Sequence, residues 1–359
     1  YSVLSTKSAA GPGHIVVAYE RDAHHFLRVF DLDGRCLQSV EFPEFSTVTH
    51  LRHEDGNRFL IRTDSFSSPF TIYRLDAASA SLDWVDGAAI SDPAIKCTQD
   101  FFTSDDGTRI ATYMFTSPVL AKTASAPTLL YGYGGWGQSI TPEYTPEIGL
   151  WLSLGGRYVI ANIRGGGEYG EAWHDAGKLD NKQNVFDDFC AAARYLLTSG
   201  LCKPESLAIK GLSNGGLLTA ACLTQHPELF GAVISEIPLV DVVNLGKSEW
   251  GSAITAELGD ASASKAMFDV LRAYSPLHNT DTAREYPPVL VVPAECDAPY
   301  IVSTAYKLVA TLQEAAVDRV ALLRLVHDSG HTGWTSRTTR EVIADEIAFL
   351  RLTLRGYGR

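Results

Sequence analysis

The tightest constraint on this chain is local. A strand-like run, Leu207–Lys210, leads straight into Gly211-Leu212-Ser213-Asn214-Gly215, and a helix-like run, Asn214–Gln225, leads straight out. A strand that turns at once into a helix leaves no room for side chains at the bend, and the glycines of G-x-S-x-G supply that room. The serine is lifted above the sheet. The backbone N–H of Asn214 then points into the space where negative charge would develop on a reacting group. The bland alternative is an ordinary strand-to-helix turn with a capping serine.

The surroundings set the fold class. Strand-like runs at Thr128–Tyr131, Tyr158–Ile163, Gly231–Ile234, Val289–Pro293 and Val320–Leu325 alternate with helix-like runs at Val185–Leu197, Val302–Glu314 and Thr338–Thr353. Such alternation implies a parallel, doubly wound sheet. It holds from about residue 93, where Asp105-Asp106-Gly107 also marks a hairpin. Residues 14–92 read differently. Short strands at His14–Glu20, Phe26–Asp31, Cys36–Phe42, Arg58–Thr63 and Phe70–Leu75 are separated by turns such as Asp33-Gly34 and Asp55-Gly56-Asn57. They suggest about two four-stranded units of roughly 40 residues, the period of propeller blades. We therefore expect two domains, 1–92 and 93–359.

A serine hydroxyl is a weak nucleophile and needs a base that an acid orients. In an α/β-hydrolase the chain order is serine, acid, histidine. After Ser213, the acids that end a strand are Glu295 and Asp297, and the histidines are His278, His327 and His331. His331 lies in the loop Ser329-Gly330-His331-Thr332-Gly333, which favours it as the base. The strand pattern leaves Glu295 and Asp297 both open.

Two further glycine clusters follow strands. Tyr131-Gly132-Tyr133-Gly134-Gly135-Trp136 sits where such enzymes place the loop that completes the oxyanion hole. Gly165-Gly166-Gly167-Glu168-Tyr169-Gly170 contains G-x-G-x-x-G, but it lies mid-chain and no strong helix starts at its last glycine. We read it as no dinucleotide site. No His/Cys/Asp/Glu grouping has metal-ligand spacing, and neither metal nor cofactor is expected.

The formal charge of −12 disfavours nucleic acid as a partner. No apolar run is long enough to suggest a membrane span. The six cysteines are scattered with no C-x-x-C pair, which suits a reduced, cytoplasmic protein.

Taken together, the segments YGYGGW (131–136), NIRGGGEYG (162–170) with Trp173-His174, NKQNVFDD (181–188), GLSNGGLL (211–218), KLVATLQ (307–313) and Ser329–Gly333 resemble the prolyl oligopeptidase family of serine peptidases. Residues 14–92, with SFSSPFTIY at 65–73, resemble the last blades of that family's β-propeller. The resemblance implies a propeller followed by an α/β-hydrolase domain. Position by position, it implies Ser213 as nucleophile, His331 as base and Asp297 as acid, with the Tyr133 hydroxyl and the Asn214 N–H as oxyanion donors. It places Trp136, Leu239, Ile254, Leu258, Pro299 and Tyr300 around the substrate pocket. It also implies short peptides as substrates, and further blades, on this chain or another, as the partner of residues 1–92.

The sequence departs from the family at that pocket. Pro299 stands where the family has an arginine that holds a substrate carbonyl. Ile254 stands where it has a tryptophan that stacks on proline, and Trp136 replaces a phenylalanine. The reading is a serine endopeptidase with altered proline specificity. A peptidyl transferase or macrocyclase on the same scaffold is the first rival, and a catalytically silent binding module the second.

Overall fold

A computed structural model describes residues 4–88, 95–117, 126–314 and 320–355. Tight turns divide its first part into two antiparallel four-stranded sheets. The first holds β1 (Leu4–Ala10), β2 (Ile15–Arg21), β3 (His24–Phe30) and β4 (Cys36–Val40). The second holds β5 (Ser46–Asp55), β6 (Arg58–Ser65), β7 (Thr71–Asp76) and β8 (Ser81–Gly87). The turns expected at Asp33-Gly34 and at Gly56 are made by glycines at φ 82° and 47°. The two sheets pack through Val16, Leu27 and Val29 against Val48, Phe59, Ile61 and Leu75. Strands β5 and β8 are absent from the sequence reading because much of each is exposed, so alternation there is weak.

The third sheet has eight strands, in the order β16-β15-β14-β13-β11-β12-β10-β9. They are β9 (Lys96–Thr103), β10 (Arg109–Thr116), β11 (Thr128–Tyr131), β12 (Arg157–Asn162), β13 (Leu207–Leu212), β14 (Ala232–Glu236), β15 (Val289–Val292) and β16 (Ala321–Leu323). The parallel sheet expected from the alternation runs from β12 to β16. The hairpin expected at Asp105-Asp106-Gly107 is β9–β10, which joins the other edge antiparallel to β12. A hairpin needs no crossover helix, so nothing in strand-helix alternation reports its direction.

Successive side chains of a doubly covered strand feed two cores, and both are apolar here. Leu130, Val159, Ile209, Val233 and Val291 point to one face. Leu129, Tyr158, Ala208, Ile234 and Leu290 point to the other. The helices are α1 (Pro146–Ser153), α2 (Glu171–Asp175), α3 (Gln183–Thr198), α4 (Asn214–Gln225), α5 (Gly251–Leu258), α6 (Lys265–Tyr274), α7 (Pro276–Asn279), α8 (Pro299–Glu314) and α9 (Ser336–Thr353). Helices α3, α4 and α8 cover the first face, and α1 and α9 the second. This is the doubly wound α/β architecture expected, preceded by propeller-type sheets. The boundary expected at 92/93 lies outside the described residues.

Parallel pairing brings the C-terminal ends of β13, β14 and β15 together, with Leu212 opposite Glu236 and Glu236 opposite Val292. Loops leaving that edge are where an open α/β sheet assembles its site.

Candidate active site

Ser213 follows β13 and is the N-cap of α4, at φ 59° and ψ −110°. A β-carbon on a left-handed backbone is strained, so the surroundings must over-determine this conformation. They do. The Ser213 N–H donates to the carbonyl of Glu236 at 2.9 Å. A Cβ at Gly211 would lie 2.2 Å from the carbonyl oxygen of Gly215, and one at Gly215 would lie 2.7 Å from that of Gly132. Both glycines of the motif are therefore required by backbone contact.

The Oγ of Ser213 is 2.8 Å from Nε2 of His331. The Nδ1 of His331 is 2.6 Å from Oδ2 of Asp297, whose other oxygen accepts the N–H of Ala298 at 2.7 Å. The Asp297 carboxylate is almost fully buried and His331 is partly buried. A buried carboxylate beside Nδ1 holds the imidazole in one orientation, with Nε2 aimed at the serine. The rival residues are engaged elsewhere. Glu295 faces His327 at 3.1 Å at the surface, and His278 contacts Ser275 at 2.8 Å.

Tyr133, Ser213 and His331 line one cavity of about 650 Å³. Burial, then the charge of Glu257, raises the Tyr133 hydroxyl above its ordinary value, so it stays a proton donor. Among the described residues, no group accepts the backbone N–H of Asn214. Its side-chain Nδ2 donates to the Tyr133 carbonyl at 2.5 Å, joining the two prospective donors. The loop is tightly wound, with Gly134, Trp136 and Gly137 all at φ of 53–62°.

The other glycine cluster has a packing role. A Cβ at Gly165 would lie 2.5 Å from the carbonyl oxygen of Gly134, and one at Gly167 would lie 2.2 Å from that of Gly137. Arg164 is held by Asp188 through two bonds of 2.9 and 2.6 Å and by Asp106 at 2.5 Å. Beneath the neighbouring segment, buried Glu168 accepts from the Ile140 N–H at 3.0 Å and from Asn162 at 3.1 Å. Burial pushes its carboxyl up to about 7.

The residues expected around the substrate pocket do not line the cavity beside Ser213. Leu239, Ile254 and Leu258 are core residues, 1–2% exposed. Trp136 is at the surface, and Pro299 is exposed as the first residue of α8. The Tyr300 hydroxyl donates to the Asp241 carbonyl at 3.4 Å.

Three features escaped the sequence reading. Trp250, at the N-cap of α5, packs edge-on against His331 with ring centroids 4.4 Å apart. Lys210, just before the elbow, is buried with Glu346 at 2.6 Å, Glu147 at 2.9 Å and Glu236 at 3.5 Å. Burial raises the carboxyls of Glu236 and Glu346. A lysine interrupting an apolar strand was the visible signal. Glu257 of α5 is likewise buried and carries several contacts. Nothing in sequence spacing links Trp250 or Glu257 to Ser213.

Comparison with known proteins agrees with the geometry. Residues 142–356 match the Prolyl oligopeptidase family, and residues 1–86 match the Prolyl oligopeptidase N-terminal beta-propeller domain. The chain is 31% identical to the prolyl endopeptidase of Elizabethkingia miricola, covering 96% of this chain and 49% of that one. It is 33% identical to that of Dictyostelium discoideum, covering 92% and 44%. It thus spans about half the length of the curated relatives it matches. A prolyl endopeptidase structure from a study of inter-domain dynamics superposes with a TM-score of 0.90 at 36% identity, covering 98% of this chain and 53% of that one. Prolyl oligopeptidase B of Galerina marginata, bound to a 25-residue macrocyclization substrate, gives 0.89 at 27% identity, covering 99% and 51%.

Proposed function

The chain belongs to the prolyl oligopeptidase family, and on that premise we propose that the whole protein is a serine peptidase acting on short peptides, with Ser213, His331 and Asp297 as its triad. The observation that carries this is the continuous hydrogen-bonded path from Ser213 through His331 to Asp297, at 2.8 and 2.6 Å. His331 Nε2 takes the hydroxyl proton as Oγ attacks the scissile carbonyl. The oxyanion is received by the Asn214 N–H and the Tyr133 hydroxyl. His331⁺ returns the proton to the leaving amine, and water resolves the acyl-enzyme by the same steps in reverse. A silent binding module has no need of a base aligned between a hydroxyl and a buried carboxylate.

The finer assignments are part of the same proposal. The division between domains is placed at 92/93, between the end of β8 and the start of β9. The edge strands β4 and β8 of the propeller-type sheets support pairing or packing with further blades. A cytoplasmic location is supported by six free cysteines. Among the described residues, no helix is long and apolar enough to cross a membrane.

Specificity is proposed to be loose. Ile254 is withdrawn into the core and presents no flat face to a pyrrolidine ring, and Pro299 has no charge to hold a carbonyl. The specificity constant for proline before the scissile bond should exceed that for alanine by less than about 100-fold, or 2.7 kcal/mol at the barrier.

The test is labelling of the full-length protein with a fluorophosphonate, followed by peptide turnover. Wild type should label on Ser213 and cleave, whereas Ser213→Ala should do neither. Retention of more than about a tenth of the turnover by Ser213→Ala would overturn the assignment, since loss of a triad member costs around 10⁴-fold or more. The macrocyclization substrate bound by the Galerina relative favours one second reading, transfer to an amine. Mass spectrometry of the products separates cyclic from linear peptide.

A further inference from the structure

The loop from Tyr131 to Gly137 has a support that the reaction scheme above does not use. Trp136 lies in the left-handed region at φ 53°, a conformation a bulky side chain adopts only under constraint. Its N–H donates to Glu257 Oε1 at 2.9 Å. Two residues earlier, the carbonyl of Gly134 accepts from Lys182 Nζ at 3.0 Å. Lys182 also faces Glu257, with Nζ 3.6 Å from Oε1. The second oxygen of Glu257 lies 2.7 Å from Nε2 of His174, whose ring backs Gly137.

Lys182 and Glu257 are 0% and 3% exposed, so the pair is withdrawn from water. A buried ion pair of this kind contributes little net stability over apolar side chains of the same volume, so stability alone does not account for it. The geometry constrained here is specific. Glu257 sits on α5 between Ile254 and Leu258, two core residues that fix the helix in place. Through Trp136 and Lys182 it grips both ends of the turn that follows Tyr133.

We infer that Glu257, braced by Lys182, is a positioning residue that locks the Tyr133 loop to α5, so that the oxyanion donor keeps one spacing from Ser213. This rests on the reading of Tyr133 as an oxyanion donor. A displacement of about 1 Å at a catalytic group costs on the order of 100-fold in rate. The effect should fall on turnover, because the oxyanion forms only after substrate has bound.

The experiment compares Glu257→Ala, Glu257→Gln and Lys182→Met/Glu257→Gln with wild type in the full-length protein, measuring kcat, KM and thermal midpoint. Glu257→Ala should lower kcat by roughly 100-fold with KM within about threefold. The double variant keeps an acceptor for the Trp136 N–H and leaves no buried charge unpaired. It should fold and recover kcat to within about tenfold of wild type. If Glu257→Ala does not fold, the double variant and Glu257→Gln carry the comparison. The inference is overturned if kcat of folded Glu257→Ala stays within about threefold of wild type, if only KM changes, or if the double variant folds yet is more than about tenfold slower than wild type. Wild-type turnover that does not depend on Ser213 would instead overturn the peptidase reading itself.

Discussion

The carboxylate of Asp297 lies 2.6 Å from Nδ1 of His331, while Glu295, two residues earlier in the same loop, is turned outward to His327 at 3.1 Å. Chain geometry thus gives neighbouring acids opposite environments. Asp297→Asn should lower kcat by about 10⁴-fold, because the amide cannot hold the required tautomer. Glu295→Gln should stay within about twofold of wild type, as expected for an exposed pair. Steady-state kinetics on both variants checks this, and a large loss in Glu295→Gln would reverse the assignment.

Tyr133→Phe removes a hydroxyl from the cavity that holds Ser213 and His331. A single oxyanion donor is worth roughly 10²- to 10³-fold in kcat and little in KM. The separation of the two constants is the measurement. A change confined to KM would mean that Tyr133 lines the pocket and does not meet the oxyanion.

Trp250 contacts the imidazole with ring planes 70° apart. Such an edge-on pair contributes about 0.5–1.5 kcal/mol beyond plain burial. Trp250→Ala should therefore lower kcat/KM by roughly 2- to 12-fold, at 1.4 kcal/mol per tenfold, and Trp250→Phe should recover most of it. Equal rates for Ala, Phe and wild type would show that the contact does not steady His331.

Glu168 links stability to pH. Burial raises its folded pKa from the ordinary 4.5 to about 7. Its contribution is complete below the unfolded value and is lost as pH rises through about 7, up to roughly 3 kcal/mol at 1.36 kcal/mol per unit. Glu168→Gln mimics the protonated carboxyl. Relative to wild type, the denaturation midpoint of Glu168→Gln should rise between pH 5 and pH 8. A pH-independent difference would place the carboxyl outside the titrating set.

Periodicity made the α/β alternation and the two four-stranded units legible, and α4 spans the helix-like run read from the sequence, Asn214–Gln225. The β9–β10 hairpin was legible at Asp105-Asp106-Gly107, but its pairing with β12 and the exposed strands β5 and β8 were not, because pairing partners and half-exposed strands leave weak patterns. Pattern alone also leaned to Asp297 without excluding Glu295. They follow one strand, and only the fold of the loop turns one inward.

By itself the sequence determined what depends on local sterics. Gly211 and Gly215 permit a strand to become a helix within one residue, and Ser213 is carried at the bend as a consequence. Loop placement singled out His331 for the same local reason. The tertiary structure alone decided which distant groups meet. Lys182 and Glu257 are far apart in the chain, as are Trp250 and His331, and neither pair belongs to any helical or strand period. Parallel pairing of β13, β14 and β15 sets their loops side by side, and burial then requires each polar group there to find a partner. Which partner it finds is set by three-dimensional packing, to which one-dimensional spacing is blind.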